Sequence, residues 1–165
     1  MISKNMVQHY LVYWRPHNVE SRLAQQFLLD HAGSSQFRHV KPSDVLWFVT
    51  VRKGKLFLVG RLVVGEQTDQ EGAVKLLGKP VVEKGRFLVT AKPGTEENMR
   101  DIPLQDIAEQ LRFESADNDR FTIIRGMLNP QQLQMKRRLN EKSSRLITTK
   151  WNSSSTSSLK RSQEI

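Results

Sequence analysis

The chain has 165 residues, no cysteine, and 26 Lys and Arg against 17 Asp and Glu, for a net charge of +9. That length suffices for one domain with its own core, and the lack of cysteine excludes a disulfide framework, thiolate metal sites and a cysteine nucleophile. No apolar run approaches the ~20 residues of a membrane helix, and Met1–Met6 has no signal-peptide core, so a cytoplasmic protein without a membrane partner is expected.

Tyr10 to Trp14 is rich in β-branched and aromatic residues and stops at Pro16, which predicts a strand. Asn18 predicts the cap of a helix running to about Asp30, with Val19, Leu23 and Phe27 as its apolar stripe. Gly33 ends that region. Val45 to Val51 is almost wholly apolar and reads as a central strand. Lys53-Gly54-Lys55 turns it back into a second strand, Leu56 to Val64.

Ala73 to Leu77 predicts a short helix stopped by Gly78 and Pro80. Val81-Val82 and Gly85 to Ala91 predict a further strand or strand pair, followed by a turn at Lys92-Pro93-Gly94. Asp101 to Leu111 reads as a helix with Ile107, Ala108 and Leu111 on one face. Phe121 to Ile124 reads as a last short strand. Asn129 and Pro130 predict a helix start that turns Leu133 and Leu139 inward and Lys136, Arg137 and Arg138 outward. From Trp151 the chain becomes serine-rich, which predicts a disordered tail over 151–165 after a domain over 8–150. The expected class is therefore α+β, a small, partly closed β-barrel with peripheral helices.

Charge is uneven. Residues 130–165 hold 8 Lys and Arg against 2 Glu. A polyanionic partner, nucleic acid first, is expected, with solubility as the plainer use of the same charge. Four histidines (His9, His17, His31 and His39) show no metal-ligand spacing. No phosphate loop, nucleophile elbow or catalytic carboxylate pair stands out. The expectation is a protein that is not an enzyme and uses no cofactor and no metal.

Several segments together resemble a known family. Tyr13-Trp-Arg-Pro16, a helix, and the loop Ser34-Ser-Gln-Phe37 lead into Val40-Lys-Pro-Ser-Asp-Val-Leu-Trp47. The last piece is similar to the hydrophobic-Lys-x-Gly-Asp lead-in to a central strand in PUA-like domains of the EVE branch. Leu58-Val-Gly-Arg-Leu-Val-Val64 resembles that branch's third strand. The likeness covers about residues 8–91. Ser43 stands where the family has Gly. Trp14-Arg15 replaces small and acidic residues, and Val49 and Thr50 replace an aromatic residue and a histidine. The resemblance implies a reader of a modified base, with modified cytosine in DNA the leading candidate and DNA favoured over RNA. It would serve as the sensor of a modification-dependent restriction or defence system, working with a nuclease partner or a nuclease domain. The alternatives are an RNA-binding PUA-like domain and a protein-interaction scaffold.

On this reading the base pocket consists of Tyr13, Trp14, Arg15, Ser34, Ser35, Gln36, Asp44 and Trp47. Trp14 would stack on an extruded base or else lid the barrel. Tyr13 alternates to the other side of the strand and is core or pocket wall. Trp47 is core or pocket floor. Ser34, Ser35 and Gln36 can read a base edge or form an ordinary turn. Asp44 can accept from an exocyclic amine or cap the strand lead-in. Arg52, Lys53, Lys55, Lys136, Arg137 and Arg138 are the expected phosphate contacts, or solvated surface.

Overall fold

A computed structural model describes residues 6–25, 28–80, 85–114, 118–134 and 138–164, with α-helical side chains near the C-terminus described as far as Ser154. The first strand, β1 (His9–Tyr13), leads into α1 (Pro16–Gln25), β2 (Leu28–Leu29) and β3 (His31–Ser34). A 3-10 turn at Phe37–His39 precedes β4 (Val45–Arg52), β5 (Lys55–Thr68), α2 (Gln70–Leu77) and β6 (Phe87–Ala91). Then come β7 (Glu97–Asn98), β8 (Ile102–Pro103), α3 (Gln105–Ala108), β9 (Ile123–Ile124) and β10 (Met127–Leu128). A 3-10 turn at Pro130–Gln134 and α4 (Glu141–Glu164) complete the chain.

The main sheet has the order β1-β4-β5-β6-β3, with β8 added to β5. β1 runs parallel to β4, pairing His9 with Val45 and Tyr13 with Val49. The remaining pairs are antiparallel. β5 is the longest strand, and it serves two partners in succession: its first part pairs β4 up to Val63, and Val64 to Thr68 pair β6. The register slips at Gly65 between them. A Cβ on Gly65 would lie 2.9 Å from the Lys92 Cα and 3.0 Å from the Ala91 carbonyl oxygen, so only glycine lets the two backbones meet at this bulge.

The expected α+β class is observed, but the sheet does not close. No ladder joins β1 to β3 among the described residues.

β4 is buried on both faces, as its apolar run predicts. Val45, Trp47 and Val49 point into one cluster with Leu56, Leu58, Leu104, Leu111, Ile147 and Trp151. Leu46 and Phe48 point into the other with Trp14, Val19, Leu29, Phe37 and Val89. Fully burying an aliphatic side chain of this size contributes about 1.5–3 kcal/mol, so these two layers dominate the stability.

Helix boundaries depart from expectation for identifiable reasons. α1 begins at Pro16, whose fixed φ suits the first helical position; it ends at Gln25 because the chain goes extended to pair β2 with β7. In α1 Val19 is buried, Leu23 is exposed, and Phe27 lies outside the described residues. α2 fits its signals: Asp69 accepts from the Gly72 amide at 2.7 Å, and Gly78 closes the helix at φ +70°. Val81 and Val82 lie outside the described residues.

The helix expected over Asp101–Leu111 shrinks to α3, because Ile102 and Pro103 pair with Leu58 and Phe57. Among the described residues, the helix expected from Asn129 is a 3-10 turn over Pro130–Gln134. Leu139 is drawn back to β1, its amide donating to the His9 carbonyl at 2.9 Å, and this forces extended backbone. The long helix starts later, where Asn140 caps α4 by accepting from the Ser143 amide at 2.9 Å. Its backbone continues to Glu164. Trp151, the first residue after the expected boundary at 150, is 1% exposed and part of the core.

Candidate nucleic-acid interface

The curl of the sheet at Gly65 brings the two strands at the ends of its order, β1 and β3, to one cavity of about 350 Å³. Tyr10 to Tyr13 form the β1 wall, and Ser34 to Phe37 form the opposite wall at the end of β3. Val40, Leu46 and Leu133 add apolar surface, and Gln134 completes the rim. The volume lies at the small end of the 300–1,000 Å³ typical of small-ligand pockets.

No described residue lining this cavity carries a formal charge. Its polar groups are two phenols, two serine hydroxyls and two amides. The side chains of Tyr10, Tyr13, Ser35 and Gln36 have no hydrogen-bond partner among the described residues, whereas Ser34 Oγ accepts from the Gln36 amide at 3.0 Å. Burial pushes the Tyr10 and Tyr13 phenols up in pKa. At Tyr10 Asp44 adds to the rise and Arg138 opposes it; at Tyr13 Arg15 opposes it. Both phenols therefore stay neutral and can donate and accept. Exposed Arg15 and Arg38 follow the two walls in the chain, one residue beyond Trp14 and one beyond Phe37.

The structure divides the expected base-pocket residues. Tyr13, Ser34, Ser35 and Gln36 are brought together around this cavity. Arg15 is exposed beyond the end of β1 and is not part of the lining.

Trp14 does not line the cavity. It is 8% exposed, its ring centroid is 4.3 Å from that of Phe48, and the Arg22 guanidinium covers it at 5.1 Å. It shares the Phe48 side of the sheet with Tyr10 and Val12, but lies past the end of β1, where the Phe48 ring and the Arg22 guanidinium cover it.

Trp47 is also core. Its indole N–H donates to His9 Nδ1 at 3.0 Å, and its ring meets Trp151 edge-on at 6.0 Å. Asp44 is 1% exposed and consumed by the lead-in to β4. It accepts from the Gln8 amide at 3.1 Å and the Lys41 amide at 3.0 Å, and pairs with Lys41 Nζ at 3.3 Å. No exocyclic amine can use it there. Ser43, just before it, adopts φ 76°, the left-handed conformation for which glycine is best suited.

The expected phosphate contacts divide as well. Lys53 is exposed at the β4–β5 turn with φ 52°. Lys55 is exposed and donates to the Gly126 carbonyl at 2.7 Å. Arg52 forms an ion pair with Asp101 and lies 4.1 Å above the Phe57 ring. Arg138 pairs with Glu114 at 3.2 Å and its backbone bridges to Tyr10. Lys136 and Arg137 lie outside the described residues.

Sequence reasoning missed Tyr10, Val12, Leu133 and Gln134 as pocket walls. It also missed β10, although Arg125-Gly126 between two apolar pairs is a hairpin signal.

A different set of charged groups locks α4 to the sheet. Glu97 pairs with Arg61 at 2.6 Å and with Arg100 at 3.5 Å, and accepts from the Trp151 indole at 3.3 Å. Arg100 lies 3.9 Å over the Trp151 ring. Burial lowers the Arg100 pKa, Glu97 opposes that shift, and Arg61 adds to it. No cluster of three or more His, Asp or Glu suited to a metal occurs among the described residues, and no helix described is long and apolar enough to cross a membrane. Comparison of the chain with protein-family models, with curated proteins and with solved structures finds no match.

Proposed function

We propose that this protein binds nucleic acid and takes an extruded, modified base into the cavity between β1 and β3, with modified cytosine in duplex DNA as the first candidate. The observation that carries the reading is the cavity's chemistry: aromatic and neutral polar side chains, of which Tyr10, Tyr13, Ser35 and Gln36 have no hydrogen-bond partner among the described residues, and no charged side chain among the described lining residues. A phosphate or carboxylate would need a cation inside. A neutral heterocycle needs a π surface and groups that both donate and accept. Tyr10 and Tyr13 offer the first, and Ser35 and Gln36 the second. The apolar contribution of Val12, Val40 and Leu133 suits a methyl or hydroxymethyl substituent. Cations outside the cavity, among them Arg15, Arg38 and Lys53, would meet the backbone phosphates.

Extrusion costs a few kcal/mol, and stacking on an aromatic side chain returns about 1–3 kcal/mol per base. In this scheme the protein only binds, and any cleavage belongs to a nuclease partner or domain in a modification-dependent defence system.

The test is fluorescence anisotropy with matched duplexes carrying cytosine, 5-methylcytosine, 5-hydroxymethylcytosine or N6-methyladenine, beside an RNA duplex, at two salt concentrations. A tenfold preference for one modified duplex, about 1.4 kcal/mol, is the expected result. Equal, salt-sensitive binding to all would reduce the protein to a polyanion binder. No binding to any would leave a protein-interaction scaffold.

A further inference from the structure

Two hairpins end side by side, and both break the same rule. The β4–β5 turn is Lys53-Gly54, with φ 52° and 76°, and the β9–β10 turn is Arg125-Gly126, with φ 53° and 74°. Positive φ at both central residues favours Asn, Asp or Gly at the first position. Here each first position holds an exposed cation in a left-handed conformation, which costs about 1 kcal/mol or more.

The turns are tied together. The Leu128 amide donates to the Gly54 carbonyl at 2.7 Å, and Lys55 Nζ donates to the Gly126 carbonyl at 2.7 Å. Met127 crosses Gly54 so closely that a Cβ there would meet its side chain at 2.7 Å. The result is one compact tip with Lys53, Lys55 and Arg125 around an apolar pair, Ile124 and Met127, which are 67% and 52% exposed and paired across the β9–β10 ladder.

The tip also stands near the cavity's end of the sheet. Tyr13 is in register with Val49, four residues before Lys53 along β4. At about 3.3 Å per residue this is roughly 13 Å, the rise of three or four base pairs.

We infer that this twin-hairpin tip is a second nucleic-acid contact, gripping the duplex a few base pairs from the extruded base. Its cations hold phosphates, and Ile124 and Met127 lie against the groove wall. The inference rests on the reading of the cavity as a base pocket. An apolar pair ringed by cations also suits an anionic membrane surface. The short reach to the cavity and the small apolar area favour the duplex.

The variant that decides it is Lys53→Asn with Arg125→Asn. Asparagine suits both turn positions, so the fold is retained and its thermal midpoint stays equal or rises. Affinity for plain and modified duplexes should fall about tenfold together. The salt slope should drop by about 2, because two phosphate contacts are lost. Ile124→Asp should weaken both duplexes by a similar factor.

If both variants bind as the wild type does while the modified-base preference persists, the tip is overturned and the pocket stands. If the wild type shows no base preference but the variants still lose affinity and slope, the tip stands and the base pocket is overturned. Binding of the wild type to phosphatidylserine vesicles with no duplex binding overturns both.

Discussion

Two groups of aromatic and polar side chains flank β1, one in the core around Trp47 and Trp151 and one at the seam with β3, and they differ in whether the described residues satisfy them. Around Trp47 and Trp151 every notable polar group has an internal partner: the Trp47 indole holds His9, and Glu97 holds Arg61, Arg100 and the Trp151 indole. At the seam between β1 and β3, the side chains of Tyr10, Tyr13, Ser35 and Gln36 have none among the described residues. A satisfied network rigidifies a core, whereas unsatisfied groups lining a cavity are what a ligand can complete. Aromatic residues at strand ends are common to both regions, so residue type alone does not separate fold from function here.

The sharpest way to break this comparison is to empty each region in turn. Trp151→Ala removes a buried indole from between α4 and the sheet and should cost about 3–5 kcal/mol. Urea unfolding would read that as a lower midpoint, and a change near zero would mean that α4 does not dock as described. Asp44→Ala orphans the Gln8 and Lys41 amides and should cost about 2–3 kcal/mol. Denaturation of Asp44→Ala beside Asp44→Asn would show how much of that loss is charge.

Pocket variants should behave in the opposite way. Tyr10→Leu keeps bulk at the seam but removes a π surface, and should cost about 1–2 kcal/mol of binding to the preferred duplex. Its unfolding midpoint should move far less than that of Trp151→Ala. A smaller gain is expected from Ser43→Gly, which relieves the φ 76° conformation and should stabilise by about 0.5–1 kcal/mol. Loss of stability on that change would contradict the strained turn.

The pH dependence of stability has a definite sign. Burial holds His31 below its ordinary pKa, with the hydrogen bond to the Asp30 carboxylate opposing the shift. Burial lowers His9 in the same way, with Asp44 opposing. At Asp30 burial pushes the carboxyl up, but the hydrogen bonds with Lys79 and His31 outweigh it and hold the group low. All three bind fewer protons folded than unfolded. The histidine contribution is complete above the unfolded value of about 6.5 and drains as pH falls through it, and the Asp30 contribution drains only below about pH 4. Unfolding free energy should therefore decline between pH 7 and 5. A flat profile there would mean that the two imidazoles are not held neutral.

Much of the frame is legible in local sequence. The unbroken apolar run of β4, the Lys53-Gly54 turn and the caps of α2 each carry their own signal. What local sequence does not carry is pairing over distance. β3 is four residues long and is defined by β6 more than 50 positions later, so its sequence reads as a loop after a helix. Ile102-Pro103 looks helical until β5 claims it. The same limit divides the site. Ser34, Ser35 and Gln36 are recognisable as a polar loop, but Tyr10, on a half-buried strand position, becomes a pocket wall only because the sheet curls at Gly65 and leaves β1 unpaired against β3. Trp14 and Asp44 mislead because their residue types suit base recognition while their contacts serve the core.

The measurement that bears most directly on the base pocket sets one side of the comparison against the other. It is the ratio of affinities for modified and plain duplexes, measured for the wild type, for Tyr10→Leu with Gln36→Ala, and for Trp14→Phe. The account predicts that the pocket double variant brings a tenfold or greater ratio close to one while retaining salt-dependent binding, and that Trp14→Phe keeps the full ratio. A double variant that discriminates as well as the wild type, or a ratio lost with Trp14→Phe alone, would contradict it.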